Sequence, residues 1–302
     1  MRRIALALLL ALSALPAAAQ DVTPAGYKLP TLGAVTAATP AKQLFGRAVA
    51  PADLRARSIG FYAKGCLAGA MALPVNGETW QVMRLSRNRM WGNPVLIDFL
   101  ERFSAKVPKV SNWPGILVGD ISQPRGGPML TGHASHQIGL DADIWLTPMP
   151  NRTLDKQARE TMRAKMMVRD DRLDVSNLWT SDQMAVVRAA ALDSQVERIF
   201  VNAAIKKAIC RDATGDRSWL SKVRPMYGHD YHFHVRMLCP PGESSCTPQT
   251  PPKEGEGCGS ELDYWFSDAV LHPKPPATPP KPPHQITMDE LPAACRDVLI
   301  AP

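Results

Sequence analysis

The chain has 302 residues, 45% of them hydrophobic and 21% charged, with 35 Lys+Arg against 28 Asp+Glu and a formal net charge of +7. That length and apolar fraction can bury one sizeable core, or two small ones. The mild basic excess forms no stripe, which argues against nucleic acid as a partner and suits either an anionic polymer or plain solubility.

Arg2 and Arg3 precede an apolar run from Ile4 to Leu15, and Ala17-Ala18-Ala19 offers small residues for cleavage before Gln20. Residues 1–19 therefore read as a secretory signal peptide, too short to span a bilayer permanently. The mature protein is expected to be exported, with no membrane contact after signal removal. Asn93 followed by Pro94 marks a helix start, and the apolar spacing from Val95 through Leu100 and Phe103 continues it. Trp113 to Asp120 reads as a short strand. Thr153 to Met167 and Ser181 to Leu192 read as capped helices, and Arg198 to Asn202 as a strand. Strands and helices mix without strict alternation, which argues for an α+β fold rather than a doubly wound sheet.

Six cysteines, Cys66, Cys210, Cys239, Cys246, Cys258 and Cys295, are an even number in an exported chain and predict a disulfide framework. Cys239 and Cys246 bracket a short Gly/Pro-rich loop whose ends can meet. Residues His272 to Pro283 are Pro-rich and can form neither helix nor central strand, so they read as an extended spacer. Beyond it, Thr287-Met-Asp-Glu290 reads as a capping box opening a helix through Leu299. Cys295 lies in that helix, with Cys66 the natural partner to bolt it back.

Five of the seven histidines fall in two clusters: Gly132-His133-Ala-Ser-His136 leading to Asp141-Ala-Asp143, and His229-Asp-Tyr-His232-Phe-His234. Period-two alternation puts Ile138, Leu140, Ala142, Ile144 and Leu146 on one face and Asp141 and Asp143 on the other. In the second segment Tyr231, Phe233, Val235 and Met237 form the apolar face, while His232, His234 and Arg236 point away from it. Neighbouring strands would bring a carboxylate and two imidazoles together, with His136 in the preceding turn closing the set. Imidazole nitrogen plus one carboxylate, with a fourth position open to water, suits catalytic Zn2+. One histidine of the His-x-His pair reads as a ligand and the other as an acid/base partner, and Asp141 could orient a ligand ring.

Ser122-x-Pro-Arg-Gly-Gly, then Gly132-His-x-Ser-His-Gln-x-Gly-Leu-Asp-x-Asp-Ile-Trp-Leu146, Arg198-Ile-Phe-Val-Asn202 and Gly228-His-Asp-Tyr-His-Phe-His-Val-Arg236 together resemble the penicillin-insensitive murein endopeptidases. That family belongs with the lysostaphin-like and D-Ala-D-Ala metallopeptidases. The resemblance spans roughly Pro40 to Phe266. It implies a periplasmic zinc endopeptidase that cuts D-alanyl to meso-diaminopimelyl cross-links of peptidoglycan, on an α+β fold with a small central antiparallel sheet flanked by helices and long loops. It implies His136, Asp143 and His234 as zinc ligands, His232 as the acid/base or oxyanion-stabilising group and His229 as its active-site partner. His133 matches a further histidine that can touch an additional metal. The implied disulfides are Cys66 with Cys295, Cys210 with Cys258, and Cys239 with Cys246. One departure stands out: family members can carry Arg-Asp-x-x-His, with Asp and His serving a second metal, whereas Arg169-Asp170-Asp-Arg-Leu173 ends in leucine.

The expected organisation is a signal peptide at 1–19, a metallopeptidase domain at 20–271, a Pro-rich linker at 272–284 and a disulfide-tethered C-terminal helix at 285–302. The same metal core would also serve a zinc D,D-carboxypeptidase or dipeptidase that trims terminal D-Ala. A non-catalytic metal- and wall-binding module is the alternative outside enzymes.

Overall fold

A computed structural model of the chain describes residues 36, 38–276, 278 and 283–302. The signal-peptide segment 1–19 and part of the Pro-rich linker lie outside the described residues. The elements run in the order α1 (Ala41–Phe45), β1 (Arg57–Phe61), β2 (Lys64–Ala68), β3 (Met71–Ala72), β4 (Trp80–Val82), β5 (Trp91–Gly92), α2 (Pro94–Val110), β6 (Ile116–Val118) and β7 (Asp141–Trp145). They continue with α3 (Lys156–Thr161), α4 (Ser181–Ala191), β8 (Val196–Val201), α5 (Ala203–Asp212), β9 (Val223–Pro225), β10 (His232–Met237), α6 (Ser260–Asp263), α7 (Asp268–Leu271) and α8 (Ala294–Ile300).

The six-stranded sheet has the order β4-β6-β7-β10-β8-β9. Its centre is antiparallel, β7 pairing β10 and β10 pairing β8, whereas the outer pairs β4–β6 and β8–β9 are parallel. The α+β expectation is therefore met, with parallel pairing added at both edges. In the β7–β10 register His234 faces Asp143 and Arg236 faces Asp141. Side chains alternate, so one face of these strands turns Ala142, Ile144, Phe233 and Val235 into the main core.

Against that face lies α2. Asn93 caps it, its side chain accepting from Val95 N, and Pro94 sits at the first helical position, where no N–H is needed. The helix buries Leu96, Ile97, Phe99, Leu100, Phe103 and Val107, and the Phe103 ring meets Phe233 edge-on at 6.4 Å. Each such fully buried side chain contributes about 2 kcal/mol. Next to it, α4 opens on a full capping box, Thr180 with Gln183, which fixes the start expected at Ser181.

A second cluster joins the β1–β2 hairpin to α1 and α8, burying Phe45, Ile59, Cys66, Leu291, Cys295, Val298 and Leu299. The Cys66–Cys295 disulfide links it across 229 residues, joined by Cys210–Cys258 and Cys239–Cys246, the pairing the family resemblance implied. In the chain-entropy account a loop that long is worth about 5 kcal/mol. Arg125 reinforces this clamp by donating to the carbonyls of Val298, Leu299 and Ala301 at the C-terminal end of α8.

Two expected helices are shorter than their sequence pattern. Between Thr153 and Met167 only Lys156–Thr161 is helical, because the N-cap is Asp155, which accepts from Ala158 N, and the chain then extends so that Met167 N bonds Asp230 O. At the C-terminus Glu290 accepts from Thr287 N as a capping box requires, but the helix begins only at Ala294. Pro292 explains the delay, since it has no N–H and disfavours α geometry at Leu291.

Candidate metal centre

The face of β7 and β10 opposite the core carries Asp141, Asp143, His232, His234 and Arg236, all buried. His136 comes from the loop before β7. Its φ is 66°, a left-handed conformation costing a non-glycine residue about 1 kcal/mol. Asp141 Oδ2 holds that turn by accepting the His136 backbone N–H at 3.0 Å, and Ser122 Oγ donates to the His136 carbonyl at 2.6 Å.

Each ring is oriented by the nitrogen that faces away from the centre. His136 Nδ1 donates to the Ile121 carbonyl at 2.6 Å, leaving the Nε2 lone pair inward. His234 Nε2 donates to Asp141 Oδ1 at 2.8 Å, leaving Nδ1 inward. The two inward nitrogens are 3.2 Å apart. Asp143 Oδ1 lies 3.4 Å from His136 Nε2 and 3.5 Å from His234 Nδ1, and this buried oxygen has no hydrogen-bond partner among the described residues. Two imidazole nitrogens and a carboxylate oxygen thus converge away from solvent, an arrangement that repels itself unless a proton or a metal cation sits among them. A tetrahedral ion with ligands near 2.0–2.1 Å sets neighbouring donors about 3.3 Å apart, so the donor set fits such an ion.

Charge on these groups follows from their surroundings. Burial alone would raise the Asp143 carboxyl, but His232, His136 and His133 outweigh it and hold it well below the usual range. Asp141 is likewise held down against burial, by Arg236 and His234. Burial pushes His234 down to about 3 and His229 to about 4, and also lowers His232, so these rings are neutral, the state a ligand or proton acceptor needs. His136 is raised, because Asp143 beside it overcomes the opposing effect of burial.

The other sequence-predicted residues surround this centre. His133, His136 and Asp143 have ligand atoms within 4.8 Å of one another. His133 Nε2, however, is 3.6 Å from Asp143 Oδ2 and only 2.9 Å from Asp120, so its nearer partner is outside that trio. His232 Nε2 is 3.5 Å from Asp143 Oδ1, and its buried Nδ1 has no hydrogen-bond partner among the described residues. His229, with φ of 57°, faces the His232 ring at 4.8 Å and donates from Nδ1 to the Tyr227 carbonyl. All six sequence-predicted residues, His133, His136, Asp143, His229, His232 and His234, are brought together. Asp170 instead lines a separate cavity with Asn202, Tyr227, Asp230 and Trp265, and Leu173 is exposed.

Three contributions escaped the sequence reading. Asp120 is buried just past β6 and accepts from Arg87, Arg89 and His133 on Oδ2. Its carboxyl sits at about 2, since His133 and Arg89 outweigh the burial that would raise it. The available signal was a lone carboxylate one glycine past the apolar run Ile116-Leu117-Val118. Phe200 on β8 stands edge-on to the His234 ring at 5.2 Å and walls the site. Tyr231, assigned to the apolar face, instead packs on the His232 ring and lines the open side of the centre, because β10 begins only at His232.

The model of the family described as penicillin-insensitive murein endopeptidase matches residues 58–300. This chain belongs to that family. It is 44% identical over 259 residues to a protein of Haemophilus influenzae, covering 85% of this chain and 87% of that one. A Klebsiella pneumoniae protein is 42% identical over 244 residues, covering 81% and 86%, and a Yersinia enterocolitica protein is 40% identical over 265 residues, covering 88% and 92%. All three carry the name penicillin-insensitive murein endopeptidase. Family membership makes the chain a peptidase.

Proposed function

We propose that this protein is a zinc metalloendopeptidase of the periplasm that hydrolyses D-alanyl to meso-diaminopimelyl cross-links in peptidoglycan. The observation that carries this reading is the convergence of His136 Nε2, His234 Nδ1 and the unpartnered Asp143 Oδ1, with separations of 3.2 to 3.5 Å. Nitrogen with one carboxylate is a zinc donor set, and the thiols that might compete are committed to disulfides. The murein substrate is supported by the family and by the names of the relatives, and export by the signal-like segment 1–19. No helix among the described residues is long and apolar enough to cross a membrane.

His136, Asp143 and His234 would hold the ion. When bound, zinc supplies a Lewis acid that polarises a carbonyl and brings the pKa of a water toward neutrality. The protein's own groups do the rest. Asp141 keeps His234 and His136 aimed inward through its two oxygens. His232, kept neutral by burial, takes a proton at Nε2, the nitrogen facing Asp143, and returns it to the departing amine. His229 presses on the His232 ring and keeps a second imidazole beside the same developing charge. No serine nucleophile enters, so β-lactams that acylate serine should leave the enzyme active.

The test is chromatography with mass detection of purified cross-linked muropeptide dimers incubated with the mature protein, with and without a zinc chelator. Conversion of dimers to monomers that stops on chelation is the expected result. Loss of terminal D-Ala alone would make it a carboxypeptidase, and unchanged dimers with zinc bound would make it a binding module.

A further inference from the structure

Beside the metal centre a cavity of about 120 Å3 is lined by Arg84, Arg87, Asp120, His133, Asp143 and Tyr231 among others. Two of its walls come from one short segment, Arg84-Leu-Ser-Arg87-Asn-Arg89. Its 3-10 turn, Leu85–Arg87, is flanked by Arg84 and Asn88 in the left-handed region, with φ of 57° and 50°. The turn is pinned: Ser86 N and Oγ both donate to Glu160 at 2.8 Å, and Asn88 Nδ2 donates to the Val49 carbonyl at 3.0 Å. Strain held in place this way presents a side chain at a fixed position.

The arginines of the segment differ in what occupies them. The Arg84 guanidinium is spent on the carbonyls of Arg159, Glu160 and Met162 and lies over the Trp145 ring. Arg89 is only 10% exposed and is engaged by Asp120 and by both oxygens of Thr131. Arg87 has a single ion pair among the described residues, to Asp120 at 3.0 Å, and its side chain is 48% exposed. Asp120 is already matched by Arg89 at 2.8 Å and His133 at 2.9 Å, so Arg87 is not needed to neutralise it. A positively charged fork is left facing the reaction chamber.

We propose that Arg87 binds a carboxylate of the substrate, on the leaving-group side of the scissile amide. This rests on the cross-link reading above and deepens it. In a D-alanyl to meso-diaminopimelyl cross-link, the carbon that carries the scissile nitrogen also carries a free carboxylate. A planar guanidinium pairs with such a group in two-pronged fashion. Contacts of 3.0 and 2.9 Å lead from Arg87 through Asp120 to the His133 ring, so the same carboxylate reports its position to the wall of the metal centre. The arginine thereby selects cross-links whose acceptor residue is ionised and fixes the amide against the metal.

The experiment compares the zinc-loaded wild type with Arg87→Gln and Arg87→Lys on two synthetic dimers, identical except that the carboxylate beside the scissile nitrogen is free in one and amidated in the other. Zinc content and thermal midpoint are measured on the same preparations. Wild type is expected to prefer the free carboxylate by roughly 10- to 100-fold in kcat/KM, the scale of one charge-assisted pair. Arg87→Gln should bring the free dimer down to the rate of the amidated one, which itself changes little, while Arg87→Lys keeps part of the preference. An equal fall on both dimers would reduce Arg87 to a positioning partner of Asp120 and overturn the carboxylate assignment while leaving the endopeptidase reading intact. Wild type that cleaves neither dimer overturns both.

Discussion

Two kinds of buried charge occur in this molecule. Arg125 and Arg159 are cations, and Lys206 a basic amine, enclosed by backbone carbonyls: Arg159 donates to Leu154, Val75 and Val82, and Lys206 Nζ donates to Leu220 and Glu256 at 2.8 and 2.6 Å. The centre on β7 and β10 is the reverse, since acceptor atoms converge there and Asp143 Oδ1 has no hydrogen-bond partner among the described residues. A closed cation contributes order where loops cross the core. An anionic pocket without such donors costs stability unless a cation enters it.

The largest expected effect falls on the open region. His136→Ala should lose zinc and activity together, by more than roughly 100-fold in affinity, as removal of a direct ligand must exceed loss of a supporting contact. Elemental analysis alongside muropeptide turnover checks it, and one zinc per chain in the variant would remove His136 from the donor set. Next comes His232→Ala, expected to keep its zinc while turnover falls roughly 100- to 10,000-fold. A variant that lost its metal would show His232 to be a ligand rather than a proton carrier.

The closed region should respond in stability instead. Arg125→Met leaves the carbonyls at the end of α8 short of a donor and should cost about 3 kcal/mol in urea unfolding while zinc stoichiometry is retained. Unchanged unfolding would mean that the Cys66–Cys295 bond alone secures the clamp. The smallest effect is a slope. Burial lowers Lys206 from 10.5 to about 7, so between those values the unfolded chain binds the extra proton and stability rises with pH, by at most about 1 kcal/mol per pH unit. Lys206→Met should flatten that rise in denaturation midpoints measured at pH 7 and 9, and an identical slope in both proteins would show Lys206 to be charged in the fold.

Much of this was legible in advance, and the reasons are local. Asn93-Pro94 and Thr180-x-x-Gln183 announce helix starts because a cap is satisfied within a few residues of itself. The alternation around Asp141 to Asp143 and His232 to His234 announces opposite faces because the strand period is two. The failures come from competition at longer range. Thr153 to Met167 reads as helix until Met167 is needed to bond Asp230, and Tyr231 reads as core until the strand begins one residue later.

By itself the sequence determined the fold class, the disulfide framework to expect of an exported chain, and which residue types could bind a metal. The tertiary structure alone decided which nitrogen of each histidine faces inward, because that depends on Ile121 and Asp141 holding the other one. It also decided that Asp120 and Arg87 stand beside the centre, since β6 reaches β7 only through sheet pairing and the Arg84–Arg89 turn is pinned by Glu160, about seventy residues further on. Spacing along a chain fixes periodicity and caps. Convergence of charges from distant segments follows only from packing.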